Sequence, residues 1–188
     1  MTPSERLSVA RIAKVNHAGE FGAIRIYGAQ ILVARCLFPR LVPQLAELRG
    51  HEIHHAILFR DAMRSRDSRP CRATYFWGIG GWLPGFASAL MGPNMVWVCT
   101  EAVEDTVHQH LTDQLAFLRL RDAELYQLIA GIRIEEEGHL DLARREKGAA
   151  NWITRVFGAF ISRSVDLVIW LSTWGDSSRM RRDLRGLT

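Results

Sequence analysis

Apolar residues recur at intervals of three and four along most of this chain, the period of a helix that buries one face. Ile12, Val15, Ile24, Tyr27 and Ile31 keep that spacing in a first segment, 4–38, which opens at the helix-start string Thr2-Pro3-Ser4-Glu5 and ends at Pro39. Leu45, Leu48, Ile53, Ala56 and Phe59 mark a second helix over 43–63, followed by a polar, Arg-rich connector, 64–72, that contains Pro70. Further helices are predicted over 93–119 and 122–147. A fifth, over 152–174, has a wide apolar face interrupted by Arg155, Arg163 and Asp166. Beyond Gly175 the stretch Arg179-Met180-Arg181-Arg182-Asp183-Leu184-Arg185 is basic and reads as a mobile tail, so one domain spans 1–174 and a tail 175–188. No alternating strand pattern competes, and the fold class is all-α.

The segment between the second and third long helices has a different character. Ala73 to Thr100 is 28 residues without a charge and carries Trp77, Trp82 and Trp97. Its length would cross a bilayer. Gly78, Gly80, Gly81, Pro84, Gly85, Gly92 and Pro93 interrupt it, which argues against a continuous spanning helix. It reads as an interfacial or re-entrant segment with Trp at headgroup level; the alternative is a crossover packed on the protein itself.

Composition narrows the picture. With 188 residues, 48% apolar and 23% charged, the chain is long enough for one sizeable core and is neither disordered nor a polytopic membrane protein. Its three cysteines form no Cys-x-x-Cys, which argues against a disulfide framework or a thiolate metal site and fits a reducing compartment. The first 30 residues hold no unbroken apolar run, so no secretory signal is expected. The pI near 9.3 rests on 22 Arg against two Lys. The arginines are scattered and no nucleic-acid-binding motif accompanies them, so a negatively charged membrane surface is the better expected partner.

The candidate chemistry lies in a doubled pattern. Glu20 precedes Glu52-Ile53-His54-His55 by 32 positions, and Glu104 precedes Glu136-Glu137-Gly138-His139 by the same 32, the whole set repeating at an offset of 84. Roughly 0.4 Glu-x-x-His pairs are expected by chance from this composition, and the chain has two. Glu and His three apart on a helix project from one face. One Glu from each of two helices and a Glu-x-x-His from each of two others is the ligand set with which a four-helix bundle holds two metal ions. Carboxylate and imidazole suit Fe(II), Mn(II) or Zn(II). Glu52 and Glu136 are placed to bind both ions, Glu20 and Glu104 one each, with His55 and His139 completing the sites. Four carboxylates balance two divalent charges, and six protein ligands leave coordination positions open. Asp105 and Asp141 are candidate acceptors for a ligand His N–H. His110, six residues after Glu104, is a candidate for proton or substrate contact, and His17 lies one turn before Glu20. Glu101 is a candidate spare ligand whose plainer reading is a paired or solvated side chain. His51, His54, Glu135 and Glu137 read as surface.

At these positions the chain resembles the demethoxyubiquinone hydroxylase (Coq7) family. The resemblance is carried by Asn16-His17-Ala18-Gly19-Glu20-Phe21-Gly22-Ala23 with Arg25-Ile26-Tyr27 and Gln30; by Glu52-x-x-His55; by Leu90-Met91-Gly92 with Cys99-Thr100-x-Ala102-Val103-Glu104; by Glu136-x-x-His139 with Asp141; and by Ile169-Trp170-Leu171-Ser172, over residues 8–173. It implies a ferritin-like four-helix bundle with an apolar crossover and an additional C-terminal amphipathic helix. It implies a di-iron centre on Glu20, Glu52, His55, Glu104, Glu136 and His139, with O2 as co-substrate and a quinol or NADH as external reductant. The activity implied is hydroxylation of a polyprenylated demethoxy-benzoquinol in ubiquinone biosynthesis. The place implied is peripheral, on the cytoplasmic face of a bacterial inner membrane or the matrix face of the mitochondrial one, with other ubiquinone-biosynthesis proteins or a second copy as possible partners. The chain departs from the family in having His110-Leu111 where a His-Tyr pair is common, and Glu101 where an apolar residue is common. The same ligands would also serve a rubrerythrin-type oxidase or peroxidase, and a lipid- or quinone-binding scaffold without catalysis is the reading from another class.

Overall fold

The computed structural model describes residues 1–186, with every side chain among them except that of Trp77. Helix α1, Pro3–Leu37, starts at a capping box. Glu5 N–H donates to Thr2 Oγ1 at 3.2 Å and Thr2 N–H donates to Glu5 Oε2 at 2.7 Å, so two of the first turn's orphan donors are satisfied. Pro39 begins a 3-10 turn, Pro39–Leu41, that reverses the chain into α2, Val42–Arg64. The crossover comprises α3, Arg72–Trp77, a 3-10 turn over Gly78–Gly81, and α4, Trp82–Leu90. Gly92 at φ 104° then turns the chain into α5, Pro93–Leu118. Helix α6, Ala123–Glu146, is capped by Asp122, whose carboxylate accepts from Leu125 N–H at 2.9 Å. Helix α7, Trp152–Ser172, starts at an Asn151/Thr154 capping box, and α8, Asp176–Gly186, follows. No strand occurs among the described residues.

Helices α1 and α2 pack as one pair and α5 and α6 as another, and α1 meets α5 while α2 meets α6. Two apolar clusters fill this bundle. Ile12, Phe59, Met63, Leu118, Leu125 and Ile129 belong to one; Tyr27, Leu45, Leu48, Val96, Trp97 and Ala143 belong to the other. Each cluster takes one half of each bundle helix, so the middle turns of all four lie between two water-excluding layers. Glu20, Glu52, Glu104 and Glu136 sit in those middle turns.

The crossover differs from a membrane-inserted segment. Helix α4 lies on α1, and so closely that a Cβ added to Gly85 would come within 2.5 Å of the Ile26 carbonyl oxygen and 2.7 Å of Ala29 Cβ. The glycines that break a spanning helix are therefore what allows the crossover to pack on the bundle. Its outer face leaves Tyr75, Ile79 and Leu83 more than half exposed. No single helix among the described residues is long and apolar enough to cross a membrane; only α7 and α8 taken together reach that composition, and they are bent by 101°.

The expected mobile tail is also corrected: residues 176–186 are helical and docked. Met180 and Leu184 are buried, worth of order 1.5–3 kcal/mol each. Asp183 accepts from Ser8 Oγ at 2.7 Å and from Arg11 Nη1 at 2.9 Å, and Asp176 accepts from Lys14 Nζ at 2.8 Å. The acids of α8 thus face α1. Residues 187–188 lie outside the described residues.

Candidate metal centre

Helix α1 supplies Glu20, α2 Glu52 and His55, α5 Glu104, and α6 Glu136 and His139, and all six are at least 95% buried. The structure brings them into two overlapping quartets. One donor atom each from Glu20, Glu52, His55 and Glu136 lie within 4.8 Å of one another, and so do those of Glu52, Glu104, Glu136 and His139. Glu52 and Glu136 belong to both.

Four buried carboxylates this close repel one another and cannot all be ionised without a counter-charge. Burial, and then the charge on Glu52, push the Glu20 carboxyl well above its usual range. Burial and the charges on Glu136 and Glu52 do the same to Glu104. Burial would also raise Glu136, but hydrogen bonds from His139 and His55 overcome it and hold that carboxyl low. Burial lowers His139, and its hydrogen bonds to Glu136 and Glu52 outweigh that, leaving it pushed up to about 11. Protons thus stand between nitrogen and oxygen where a cation would serve better. The donor atoms also fit a metal. Glu52 Oε1, Glu136 Oε1 and His55 Nδ1 are buried with no hydrogen-bond partner, the last two 2.9 Å apart but out of hydrogen-bond alignment. Buried lone pairs left unmatched are costly, and a shared cation satisfies all three.

Each ligand histidine turns Nδ1 inward. His139 Nδ1 lies 3.0 Å from Glu136 and 3.5 Å from Glu52. The outward nitrogens meet residues that the sequence placed at the surface. His55 Nε2 faces Glu135 Oε2 at 3.1 Å, and His139 Nε2 faces His51 Nδ1 at 2.8 Å with the two rings stacked. His51 and Glu135 lie four residues before the ligand histidines His55 and His139 and reach across to the histidine of the other motif. That i, i+4 relation within the repeat is the signal that would have found them. Tyr27, expected only as core, donates its hydroxyl to Glu104 Oε1 at 2.5 Å; burial and the Glu104 charge push its phenol well up, so it stays a donor.

The other candidates lie apart from the quartets. Asp105 accepts from Gln109 at 2.9 Å and faces Arg144 at 3.4 Å, and Asp141 is exposed. His110 Nε2 lies 3.6 Å from Asp166, which also pairs with Arg181, at the junction of α5, α7 and α8. Glu101 accepts from Lys147 Nζ at 2.6 Å. His17 is buried, and burial together with the charge of Arg60 holds its imidazole low. His54 and Glu137 are exposed, as read from the sequence.

An apolar cleft of ≈ 30 Å³ borders the centre. Gly19, Gly22 and Ala23 of α1, beside Glu20, line it together with Val103 of α5, beside Glu104, and Val165 and Val168 of α7.

An all-α bundle whose middle gathers two Glu/His quartets around shared carboxylates defines the class: a ferritin-like carboxylate protein. The family described as ubiquinone biosynthesis protein COQ7 matches residues 8–172. A Dictyostelium discoideum protein named NADPH-dependent 3-demethoxyubiquinone 3-hydroxylase, mitochondrial, is 31% identical over 172 residues, 90% of this chain and 78% of that protein. The human protein of the same name is 31% identical over 171 residues, 89% of this chain and 78% of its own length. A Rhodospirillum rubrum protein named 3-demethoxyubiquinol 3-hydroxylase is 29% identical over 170 residues, covering 90% and 80%. The chain belongs to the COQ7 family, a family of ubiquinone-biosynthesis hydroxylases, as the strings around Glu20 and Glu104 implied. Helix α8 lies beyond the matched residues.

Proposed function

We propose that this chain is a di-iron monooxygenase that adds a ring hydroxyl to a polyprenylated demethoxy-benzoquinol while lying on a membrane surface. One observation carries the reading: Glu52 and Glu136 belong to both quartets, so two ions would share carboxylates instead of occupying separate sites. Glu20 and His55 would complete one ion's ligands, Glu104 and His139 the other's. Two irons held there supply the reduction of O2, one oxygen atom going to the ring carbon and the other, with two electrons and two protons from an external quinol or reduced nicotinamide, to water.

The protein supplies the rest. The two apolar clusters exclude water from the centre. Tyr27 holds Glu104 at one oxygen, and His51 and Glu135 fix the rings of His139 and His55. The apolar cleft beside Glu20 and Glu104 is the route for the substrate ring, and at ≈ 30 Å³ it must widen to admit one. Its outer rim leads to the exposed apolar faces of the crossover and of α7, where Leu83, Val156, Phe160 and Trp170 stand out. Helix α3 packs against α7, so these faces adjoin. An isoprenoid tail lying in lipid would enter there.

The test is a single turnover. Protein loaded anaerobically with Fe(II), given a short-tailed demethoxy-quinol and then 18O2, should yield product carrying one 18O. Bound iron and consumed O2 without labelled product would refute the assigned substrate.

A further inference from the structure

The ligand repeat is regular at an offset of 84 residues, but the residues behind the ligands are not. His51 in the first copy corresponds to Glu135 in the second, and Tyr27 corresponds to Leu111. The structure puts each to a different use. The outward nitrogen of His55 meets a carboxylate, Glu135 Oε2 at 3.1 Å. The outward nitrogen of His139 meets only an imidazole, His51 Nδ1 at 2.8 Å. Glu104 gives up one oxygen to the Tyr27 hydroxyl at 2.5 Å. Leu111, at the equivalent place, is a buried side chain that can donate nothing to Glu20.

Each difference acts in the same direction. With Nδ1 on a metal, Nε2 carries the proton and must donate it outward. A carboxylate acceptor makes a charge-assisted bond about twice as strong as one to a neutral acceptor, and raises the basicity of the ligating nitrogen. His55 therefore binds more strongly than His139. A phenol hydrogen bond draws density from Glu104 and occupies one of its lone pairs, whereas Glu20 keeps both oxygens.

Resting on the metal-centre reading above, we infer that the two ions are not equivalent: the Glu20–Glu52–His55–Glu136 quartet binds the tighter ion and the Glu52–Glu104–Glu136–His139 quartet the weaker one, with His51 and Tyr27 setting the difference. They are positioning residues, acting through His139 and Glu104. The weaker ion, with its poorer donors, is the more electrophilic and the readier to exchange a ligand.

Metal titration tests this without catalysis. Cobalt(II), followed by its visible absorption and by calorimetry, should bind to two ions per chain in two steps. Mutual repulsion alone would also separate the steps, so the decisive comparison isolates each quartet. Glu104→Ala should keep a tight site and Glu20→Ala a weaker one, the two differing by about 10–100-fold, the range for losing such outer hydrogen bonds. In the Glu20→Ala background, Tyr27→Phe and, separately, His51→Glu should each tighten the remaining site by about tenfold or more. In the Glu104→Ala background, Tyr27→Phe should leave the remaining site unchanged. Equal affinities for the two isolated quartets, or no tightening by either variant, overturns the inference while leaving a two-metal centre intact. Fewer than two cobalt ions on the wild-type chain overturns the metal-centre reading itself.

Discussion

Gly22 offers a perturbation that separates the substrate route from the metal centre. It lies inside α1, two residues from Glu20, and lines the apolar cleft. A Cβ built there meets nothing within 4 Å, unlike the Gly85 position, where backbone blocks it. Glycine in a helix interior costs about 0.5–1 kcal/mol relative to alanine. Gly22→Ala should therefore stabilise the protein by that amount, raising Tm by about 1–4 °C for a domain of this size, and a single methyl should leave hydroxylation nearly intact. Gly22→Leu gains most of the same helix propensity but sends its side chain into a cleft of only ≈ 30 Å³. Each turnover must then displace that side chain or forgo the route. A displacement cost of about 1.4–3 kcal/mol corresponds to a loss of roughly 10–150-fold in kcat/KM. The assay is product formation with short- and long-tailed quinols, alongside iron content and thermal melting. The expected result is unchanged iron, a melt within a few degrees of wild type, and turnover lost in Leu but not in Ala. A Leu variant that turns over both quinols at the wild-type rate would refute the cleft as the route.

Other outcomes follow from the same geometry. Glu20, Glu104 and His139 all have raised pKa values in the folded chain, so the stability they contribute is present at low pH and is lost as pH rises through the folded values; Glu136 alone has the opposite sign. Metal-free protein should therefore melt higher at about pH 6 than at about pH 9, and metal loading, which displaces those protons, should flatten or reverse the slope; a melt that rises with pH without metal would contradict the electrostatics. Met180→Asp places a charge in the α1–α8 interface and should cost about 2–5 kcal/mol, lowering Tm and speeding proteolysis after Thr173; an unchanged melt would mean that α8 is not docked. Leu83→Asp with Ile79→Asp, both exposed, should leave the melt within about 0.5 kcal/mol of wild type yet abolish sedimentation with anionic vesicles; persistent vesicle binding would remove the crossover from the membrane face.

What the sequence disclosed, and what it withheld, has a common physical basis. The long helices are legible because their apolar spacing and their caps at Thr2, Asp122 and Asn151 are local. The six candidate ligands are legible because helical spacing fixes which side chains share a face, and the 84-residue repeat excludes coincidence. Partners that reach between helices are not legible in this way. Whether His139 meets Asp105, Asp141 or His51 depends on how α2, α5 and α6 are rotated against one another, which spacing along one helix does not state. Tyr27 has the periodicity of a core residue and is one, apart from a hydroxyl whose acceptor lies 77 residues away. The docking of α8 was hidden similarly, since Asp176 and Asp183 find their partners on α1, more than 160 positions earlier. The crossover misleads for another reason: an uncharged, glycine-rich stretch suits both a lipid interface and close packing on a helix, and this one has a face for each.

The central claim is that six side chains hold two irons through shared carboxylates, and iron stoichiometry in a set of single variants tests it most directly. Anaerobic reconstitution with Fe(II), followed by metal analysis and Mössbauer spectroscopy, should give two irons per wild-type chain. Removing a shared ligand, Glu52→Ala or Glu136→Ala, should cost binding at both positions, whereas Glu20→Ala or Glu104→Ala should each retain one iron. A folded wild-type chain that binds no iron, or shared and unshared variants that lose it alike, would contradict the centre described here.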